Sequence, residues 1–307
     1  MPLLRPSLDP DLAPWHSKLI NRASIATPEG LAARRARANI TWEIVSEGYE
    51  DRISHTEIKI PTPNGPIKAV ILRFKKSDPN KTTPRAPLIH FHGGGFIICT
   101  RFHALNAIFG IIEELDLVVI SPEFRPAPEH PQPAQVEDGY ATLLWVAEHS
   151  EDLGVDANKI ILGGGSAGGN LSVGVSLLSK HRFGPSVFAN LLFYPWLEDD
   201  NSAFPLHQFG DIPPWTKEDN AVALNYQQSK ICGGPPPTYI DVGEVDGFRD
   251  QAINFARKLW ASGVQTELHV WPGAWHGFDT YAPEVEVSRR ARRTRIEWLG
   301  RLLRSTS

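Results

Sequence analysis

A chain of 307 residues with 41% hydrophobic and 21% charged side chains has the make-up of a folded globular protein, which excludes disorder and membrane spanning as organising principles. Its formal net charge of −4 gives no electrostatic reason to bind nucleic acid or an anionic membrane surface, so a small neutral ligand is the expected partner. Two cysteines, Cys99 and Cys232, are too few to staple a chain of this size; a reducing compartment fits them, and a single disulfide stays open.

Met1 to Pro14 carries Pro2, Pro6, Pro10 and Pro14 with Asp9 and Asp11, and has no basic end followed by an apolar core. Ser305-Thr306-Ser307 is neither a peroxisomal nor a retention signal, and the expected location is cytoplasmic. Glu29 to Ala38, rich in Ala and Arg, reads as a short surface helix. Ile58–Ile60 and Ala69–Phe74 are β-branched runs on either side of an Asn64-Gly65 turn signal and read as antiparallel opening strands.

From there the chain alternates. Strands at Leu88–His92 and Leu117–Ile120 enclose a helix over Ala104–Leu115, and a helix over Pro133–His149 sets Val136, Tyr140, Leu143, Leu144 and Ala147 on one apolar face. A strand over Lys159–Leu162, a helix over Ala167–Leu178 and a strand over Ala189–Tyr194 continue an α/β rhythm. A long irregular stretch with Trp196, Phe204, Phe209, Trp215 and Tyr226 then breaks it, as a segment covering a site does. The rhythm resumes with Thr238–Val242, a helix Gln251–Ala261 stopped by Gly263, a strand Thr266–Trp271 and a last helix from about Glu284 to Leu303. The arginines of that helix, among them Arg289, Arg292, Arg293 and Arg295, read as a solvated face opposite Val287, Ile296, Leu299 and Leu303.

Gly164-Gly165-Ser166-Ala167-Gly168 follows an apolar run and opens a helix, which is the G-x-S-x-G pattern of a nucleophile elbow. A sharp strand-to-helix turn strains the serine backbone, and small residues two before and two after it let the elements approach. The turn also sets the Ala167 amide at a helix N-terminus, where it can stabilise an oxyanion. Glycine-rich turns of this kind also bind phosphate, but the Walker lysine is missing. His92-Gly93-Gly94-Gly95 follows another apolar strand, and the amides of Gly93 and Gly94 with that of Ala167 make a candidate oxyanion hole.

A serine needs a base, and the base needs a carboxylate. The loop after Val242 offers Glu244, Asp246 and Asp250, and the loop after the next strand offers His276. The order Ser, Asp, His suits this pattern, and ligands in open α/β sheets sit beyond the carboxyl ends of strands.

H-G-G-G at 92–95, G-x-S-A-G-G-N at 164–170, D-x-x-R-D at 246–250 and H-G-F at 276–278, with the block Phe124-Arg125-Pro126-Ala127-Pro128-Glu129-His130-Pro131, resemble the hormone-sensitive-lipase-like branch of the α/β-hydrolases over about residues 50 to 305. The resemblance implies an α/β-hydrolase fold, a mostly parallel sheet flanked by helices, in a single domain 1–307 to which 1–50 and about 196–236 contribute a small, mainly helical cap. It also implies a cofactor-free carboxylesterase, many relatives acting on short acyl or aryl esters and some in fungal secondary metabolism, and it makes Asp246 the triad acid. Two departures stand out: Gly165 where the family carries Asp or Glu, and Phe124-Arg125-Pro126 in place of Tyr-Arg-Leu.

Other candidates receive structural readings. His92 is expected to be a buried histidine bonded to backbone, His90 to be packing, Asp250 to cap the helix at Gln251, and Glu129 with Arg125 to hold their loop as an ion pair. Eleven histidines without paired spacing, and no HExxH, point to no metal. The expectation is ester hydrolysis by Ser166, His276 and Asp246 with an oxyanion hole of Gly93, Gly94 and Ala167, no cofactor, a small ester as partner, and a homodimer compatible with the sequence. Lactone, aryl formamide or acyl-transfer chemistry at the same triad is the near alternative. A lyase, cyclase or ligand-binding protein on this scaffold is the distant one.

Overall fold

The structure, a computed structural model, describes residues 4–19, 23–78, 82–198, 204–209, 211, 214–224 and 236–305. Among the described residues eight strands form one sheet: β1 (Ile53–Ile60), β2 (Ile67–Phe74), β3 (Pro87–Phe91), β4 (Val118–Pro122), β5 (Ile161–Gly165), β6 (Ala189–Phe193), β7 (Thr238–Val245) and β8 (Thr266–Trp275), in the spatial order β1-β2-β4-β3-β5-β6-β7-β8. β1 and β2 pair antiparallel across the turn at Gly65, whose φ of 104° suits glycine, and β2 pairs antiparallel with β4. All other pairs are parallel. This is the expected α/β-hydrolase architecture.

The central strands β3 to β6 are buried along their whole length because helices cover both faces. Along β4, Val119 packs on one side with Leu191, Ile240 and Leu299, while Val118 and Ile120 pack on the other with Ile89, Phe91 and Leu162. The helix Ala134–Glu148 lies on this second side, with Tyr140, Leu143 and Val146 buried. Val136, Leu144 and Ala147 of its predicted face are only partly buried, because the helix packs on the neighbouring helix Ala167–His181 through its small residues: a Cβ on Gly139 would lie 2.6 Å from Val175.

Between β3 and its neighbours the chain order reverses, with β4 on one side and β5 on the other. In open α/β sheets that reversal opens a crevice at the carboxyl ends of the strands. The register sharpens it: Phe91 pairs with Gly164 and Val245 with Trp275, so the loops at 92–95 and 166, and those at 246 and 276, leave the sheet at matched heights.

Three sequence expectations are corrected here. Glu129 and Arg125 do not pair with each other. Arg125 makes a bidentate bond to the buried Asp138 at 2.7 and 2.9 Å, and Glu129 pairs with Arg35 at 2.6 Å. Asp250 does not cap its helix, which runs Arg249–Ala261 with Phe248 at the N-cap; it binds the Arg249 side chain instead.

The last helix, Glu286–Ser305, does bury Val287, Ile296 and Leu299, but its arginines are not all solvated. Arg295 is fully buried, bidentate to Asp241 of β7 at 2.8 and 3.0 Å and bonded to Asp279, and it stacks on the Phe193 ring. Burial opposes its charge, and the two carboxylates overcome that and hold the guanidinium protonated.

The predicted cap segments meet over the carboxyl ends. The helix Pro28–Arg37, capped by Thr27, carries the buried Arg34, which reaches Asp219 of the helix Lys217–Leu224 at 3.4 Å. Trp196 is fully buried between Phe96 and Phe248, and so belongs to the framework under the site. Phe204 lies at the head of a short helix, Phe204–Phe209, with its side chain outside the description, and Tyr226 and Cys232 fall outside the described residues. Among the described residues no helix is long and apolar enough to cross a membrane.

Removing Arg295 leaves two buried carboxylates facing each other without a cation. Arg295→Leu is expected to destabilise the fold by about 3–5 kcal/mol, read as a lowered urea midpoint. An unchanged midpoint would show that the ion cluster contributes nothing.

Candidate active site

Ser166 sits between β5 and the helix Ala167–His181 with φ 57° and ψ −120°, a conformation that L-residues rarely adopt. Its amide donates to the Phe193 carbonyl at 3.0 Å, and its own carbonyl accepts from Gly169, Asn170 and Trp196 at 3.0, 3.2 and 3.1 Å. Those four bonds hold the strain. Glycine is required on both sides, because a Cβ on Gly164 would lie 2.2 Å, and one on Gly168 2.0 Å, from the Phe91 carbonyl oxygen. The Ala167 amide heads the helix, where the first amides have no intrahelical acceptor.

The loop after β3 lies against this turn. A Cβ on Gly93 would be 3.5 Å from the Ser166 Cβ, and Gly94 and Gly95 take φ of 97° and 60°. Gly95 also makes room for Trp215 from the predicted cap, whose ring tip would stand 2.1 Å from a Cβ there. The loop is clamped by Arg35, which donates to the carbonyls of Ile97 and Ala127 at 2.7 Å each while paired with Glu129. The sequence reading placed Arg35 only in a surface helix. The signal it lacked is tertiary, since both acceptors are backbone atoms far along the chain.

His276 follows β8 and Asp246 follows β7. His276 Nδ1 and Asp246 Oδ2 are 3.0 Å apart, and the other carboxylate oxygen accepts from the Phe248 amide at 2.8 Å. Asp246 is 1% exposed, and the imidazole is held edge-on by Tyr194 and Phe248, each 5.0 Å away between centroids. Glu244, the alternative acid, instead accepts from the Gly273 amide at 3.0 Å and so braces the histidine's loop from below. Ser166 and His276 face the same cavity, with Gly93, Gly94, Phe193 and Trp215 also in its wall. All six predicted site residues are thus brought to one place.

The departure at Gly165 has a physical reason in this chain. A Cβ at 165 would lie 2.7 Å from the Tyr194 ring, so the phenol fills the space beside the nucleophile that a side chain would need. Tyr194 is buried, has φ 37° and bonds Thr280 Oγ1 through its hydroxyl at 3.2 Å; burial, with the Asp279 charge next, pushes its phenol well above the ordinary range. His92 is buried, with Nδ1 2.9 Å from the Gly93 carbonyl and its ring stacked on Phe124 at 4.0 Å. His90 is buried as well, and is among the residues around the cavity. Among the described residues no cluster of His, Cys, Asp or Glu is arranged to hold a metal.

Comparison with known proteins gives the chain's family. Residues 88–280 match the family model described as α/β hydrolase fold. The esterase LipI of Mycobacterium tuberculosis is 29% identical over 94% of this chain and 92% of its own, and the carboxylesterase NlhH of the same organism is 30% identical over 66% and 70%. Among solved structures, a bacterial heroin esterase superposes with a TM-score of 0.87 at 28% identity, covering 97% of this chain and 98% of that one.

Two predictions follow from the packing of the site. Gly165→Ala is expected to cost about 1–3 kcal/mol by overpacking, and thermal unfolding should show that cost vanish in a Tyr194→Ala background; a cost independent of residue 194 would refute the contact.

The second concerns acid. Burial pushes the His90 imidazole down to about 3 and that of His92 down to about 4, against an ordinary value of about 6.5. The unfolded chain therefore binds more protons below pH ~6.5, and stability falls from there toward pH ~4 by about 1.4 kcal/mol per pH unit for each ring. His90→Phe should flatten that slope in urea titrations run between those limits, and an unchanged slope would show that His90 does not carry it.

Proposed function

Because the chain belongs to the α/β-hydrolase family, in its hormone-sensitive-lipase-like branch, we propose that it is a serine carboxylesterase acting through an acyl-enzyme on small or medium esters with an apolar or aryl group. The observation that carries this reading is the strained Ser166 turn, sharing one cavity with a histidine already bonded to a buried carboxylate. Esterase is also what the names of the similar proteins say of those proteins, at identities close to 30% over most of this chain for LipI.

The steps follow from the geometry. Asp246 fixes the Nδ1–H tautomer of His276 and leaves Nε2 as the base. His276 takes the hydroxyl proton of Ser166 as the oxygen attacks the ester carbonyl, and the developing oxyanion is met by the amides of Gly93, Gly94 and Ala167. Collapse expels the alcohol, protonated by His276; water, deprotonated by the same imidazole, then releases the acid. The carboxylate of Asp246 stays ionised throughout and stabilises the imidazolium.

Segments 1–50 and about 196–236, Trp196 apart, serve as the cap in this reading, with the Arg34–Asp219 contact joining them and Trp215 in the cavity's wall. An apolar lining of Ile98, Phe193, Pro214 and Trp215 favours an apolar or aryl group on the substrate. The cytoplasm is the location we assign, on a sequence with only two cysteines.

Time-resolved release of p-nitrophenol from acetate, butyrate and octanoate esters tests the proposal, with fluorophosphonate labelling mapped by mass spectrometry. Wild type should turn over and label at Ser166. Ser166→Ala should lose about 10⁴-fold or more of kcat, and Asp246→Asn about 10³–10⁴-fold. A folded wild type with neither turnover nor label would overturn the reading. Product analysis showing free acid and alcohol separates hydrolysis from acyl transfer.

A further inference from the structure

The cavity shared by Ser166 and His276 has a volume of about 50 Å³, well below the roughly 300–1,000 Å³ of ordinary small-molecule sites. As built it admits a short group and no long chain. Much of its wall is fixed by the sheet: Phe193 ends β6, and Tyr194 is wedged against Gly165 with its amide on the Asp241 carbonyl. Trp215, the largest side chain in the wall, is only partly buried and stands in the loop before the helix Lys217–Leu224. Its ring tip covers Gly95, where a Cβ would lie 2.1, 2.5 and 3.1 Å from three of its atoms.

Trp215 is held from both sides by one residue of the opposite segment. Arg34 Nη2 donates to the carbonyl of Pro214, immediately before it, at 3.4 Å. Thr216, immediately after it, forms a capping box with Asp219: the Thr216 amide donates to the Asp219 carboxylate and the Asp219 amide to Thr216 Oγ1, each at 3.2 Å. Arg34 Nη1 pairs with that same carboxylate at 3.4 Å, and both side chains are nearly fully buried. The indole makes one further bond, from Nε1 to Asn220 Oδ1 at 3.4 Å. Arg34 thus anchors the backbone before the indole directly and the backbone after it through Asp219.

Resting on the esterase reading above, we infer that Trp215 limits the size of the substrate, restricting the ester to a short chain on the side that meets the indole, and that Arg34 is the positioning residue that keeps it there. The energetics favour a steric limit. A methylene moved from water into an apolar site gains about fourfold in binding, so an open cavity lined by Ile98, Phe193 and Pro214 rewards longer chains. A wall in the way reverses that gain, because a chain that meets the ring must stay in water or displace it.

Two ester series followed by pH-stat test the inference: ethyl acetate, butanoate and hexanoate vary the acyl chain, and ethyl, butyl and hexyl acetate vary the alcohol. In wild type kcat/KM is expected to fall about tenfold from the shortest to the longest member of one series, and that series identifies the side of the ester that meets Trp215. Trp215→Ala should raise the long-to-short ratio in that series by about tenfold or more, the gain of two newly buried methylenes, chiefly through KM. Arg34→Met should shift the ratio in the same direction, Arg34→Lys should shift it less, and Arg34→Met should add nothing in a Trp215→Ala background.

Wild type that hydrolyses the long members of both series as well as the short ones overturns the inference whether or not any variant folds. So does a ratio unchanged in Trp215→Ala, or in Trp215→Leu where the alanine variant does not label with fluorophosphonate. An Arg34→Met effect that persists without the indole refutes the positioning role. Fluorophosphonate labelling of Ser166 is scored in the same samples. Labelling and hydrolysis without a length limit refute the size limit alone, whereas folded wild type with neither refutes the esterase reading beneath it.

Discussion

The carbonyl oxygen of Phe91 stands where a side chain on Gly164 or Gly168 would have to be, about 2 Å from either Cβ position. Most of the site depends on this contact of backbone with backbone. It brings the end of β3 against the turn after β5, so the loop at 93–95 and the hydroxyl of Ser166 emerge side by side. It also leaves Ser166 no room to relax, which is why four hydrogen bonds are spent on its amide and carbonyl. A methyl group at 164 or 168 would push the two loops apart, and the oxyanion donors would part from the nucleophile before any catalytic side chain had changed.

The far side of the crevice is built by a second close approach. A Cβ on Gly243 would lie 2.2 Å from the Ala274 carbonyl, at the irregularity where β7 and β8 end, and Asp246 and His276 leave from just beyond it. Beneath them the buried Arg295 joins β7 to the turn of helix that follows His276, through Asp241 and Asp279. The Tyr194 amide donates to the Asp241 carbonyl, so the cavity floor hangs on the same cluster. A fully desolvated cation between two carboxylates is a poor source of net stability. It is a strong source of geometry, since neither β7 nor the His276 loop can shift without leaving a charge unpaired.

What could be read from the sequence was what is local. The strand and helix rhythm, the glycines around Ser166 and the glycine run after His92 are all short patterns whose cause lies within a few residues. Element ends moved by a few residues, as in β5, which runs into Gly165 because glycine can continue a strand where sequence alone suggested a turn. The misses are long-range pairings. Arg295 looked like one more arginine on a basic helix, and only the fold reveals Asp241 54 residues away. Arg125 had an acid four positions on, yet chose Asp138, which the following helix buries beside it. Gly165 looked like a loss relative to the resembled family until the Tyr194 ring was found filling the space. No periodicity in the sequence marks His90 as a residue beside the cavity.

This division of labour separates reaction from selection. The groups that the acyl-transfer steps require are set by backbone contacts at glycines and by a buried ion cluster, neither of which tolerates drift. The rest of the cavity wall, from Ile98, Cys99 and His103 to Pro214 and Trp215, consists of side chains on loops and on the segments above the sheet. The turns of Ser166 and His276 are held instead by bonds from Phe193, Gly169, Asn170, Trp196 and Asp246. Trp215 is the instructive case: it fills the space above Gly95 and so touches the oxyanion loop, but through a glycine that would accept a smaller ring as readily. Divergence in substrate among proteins with this frame is therefore expected to concentrate in that wall, while the glycines and the cluster under β7 stay as they are.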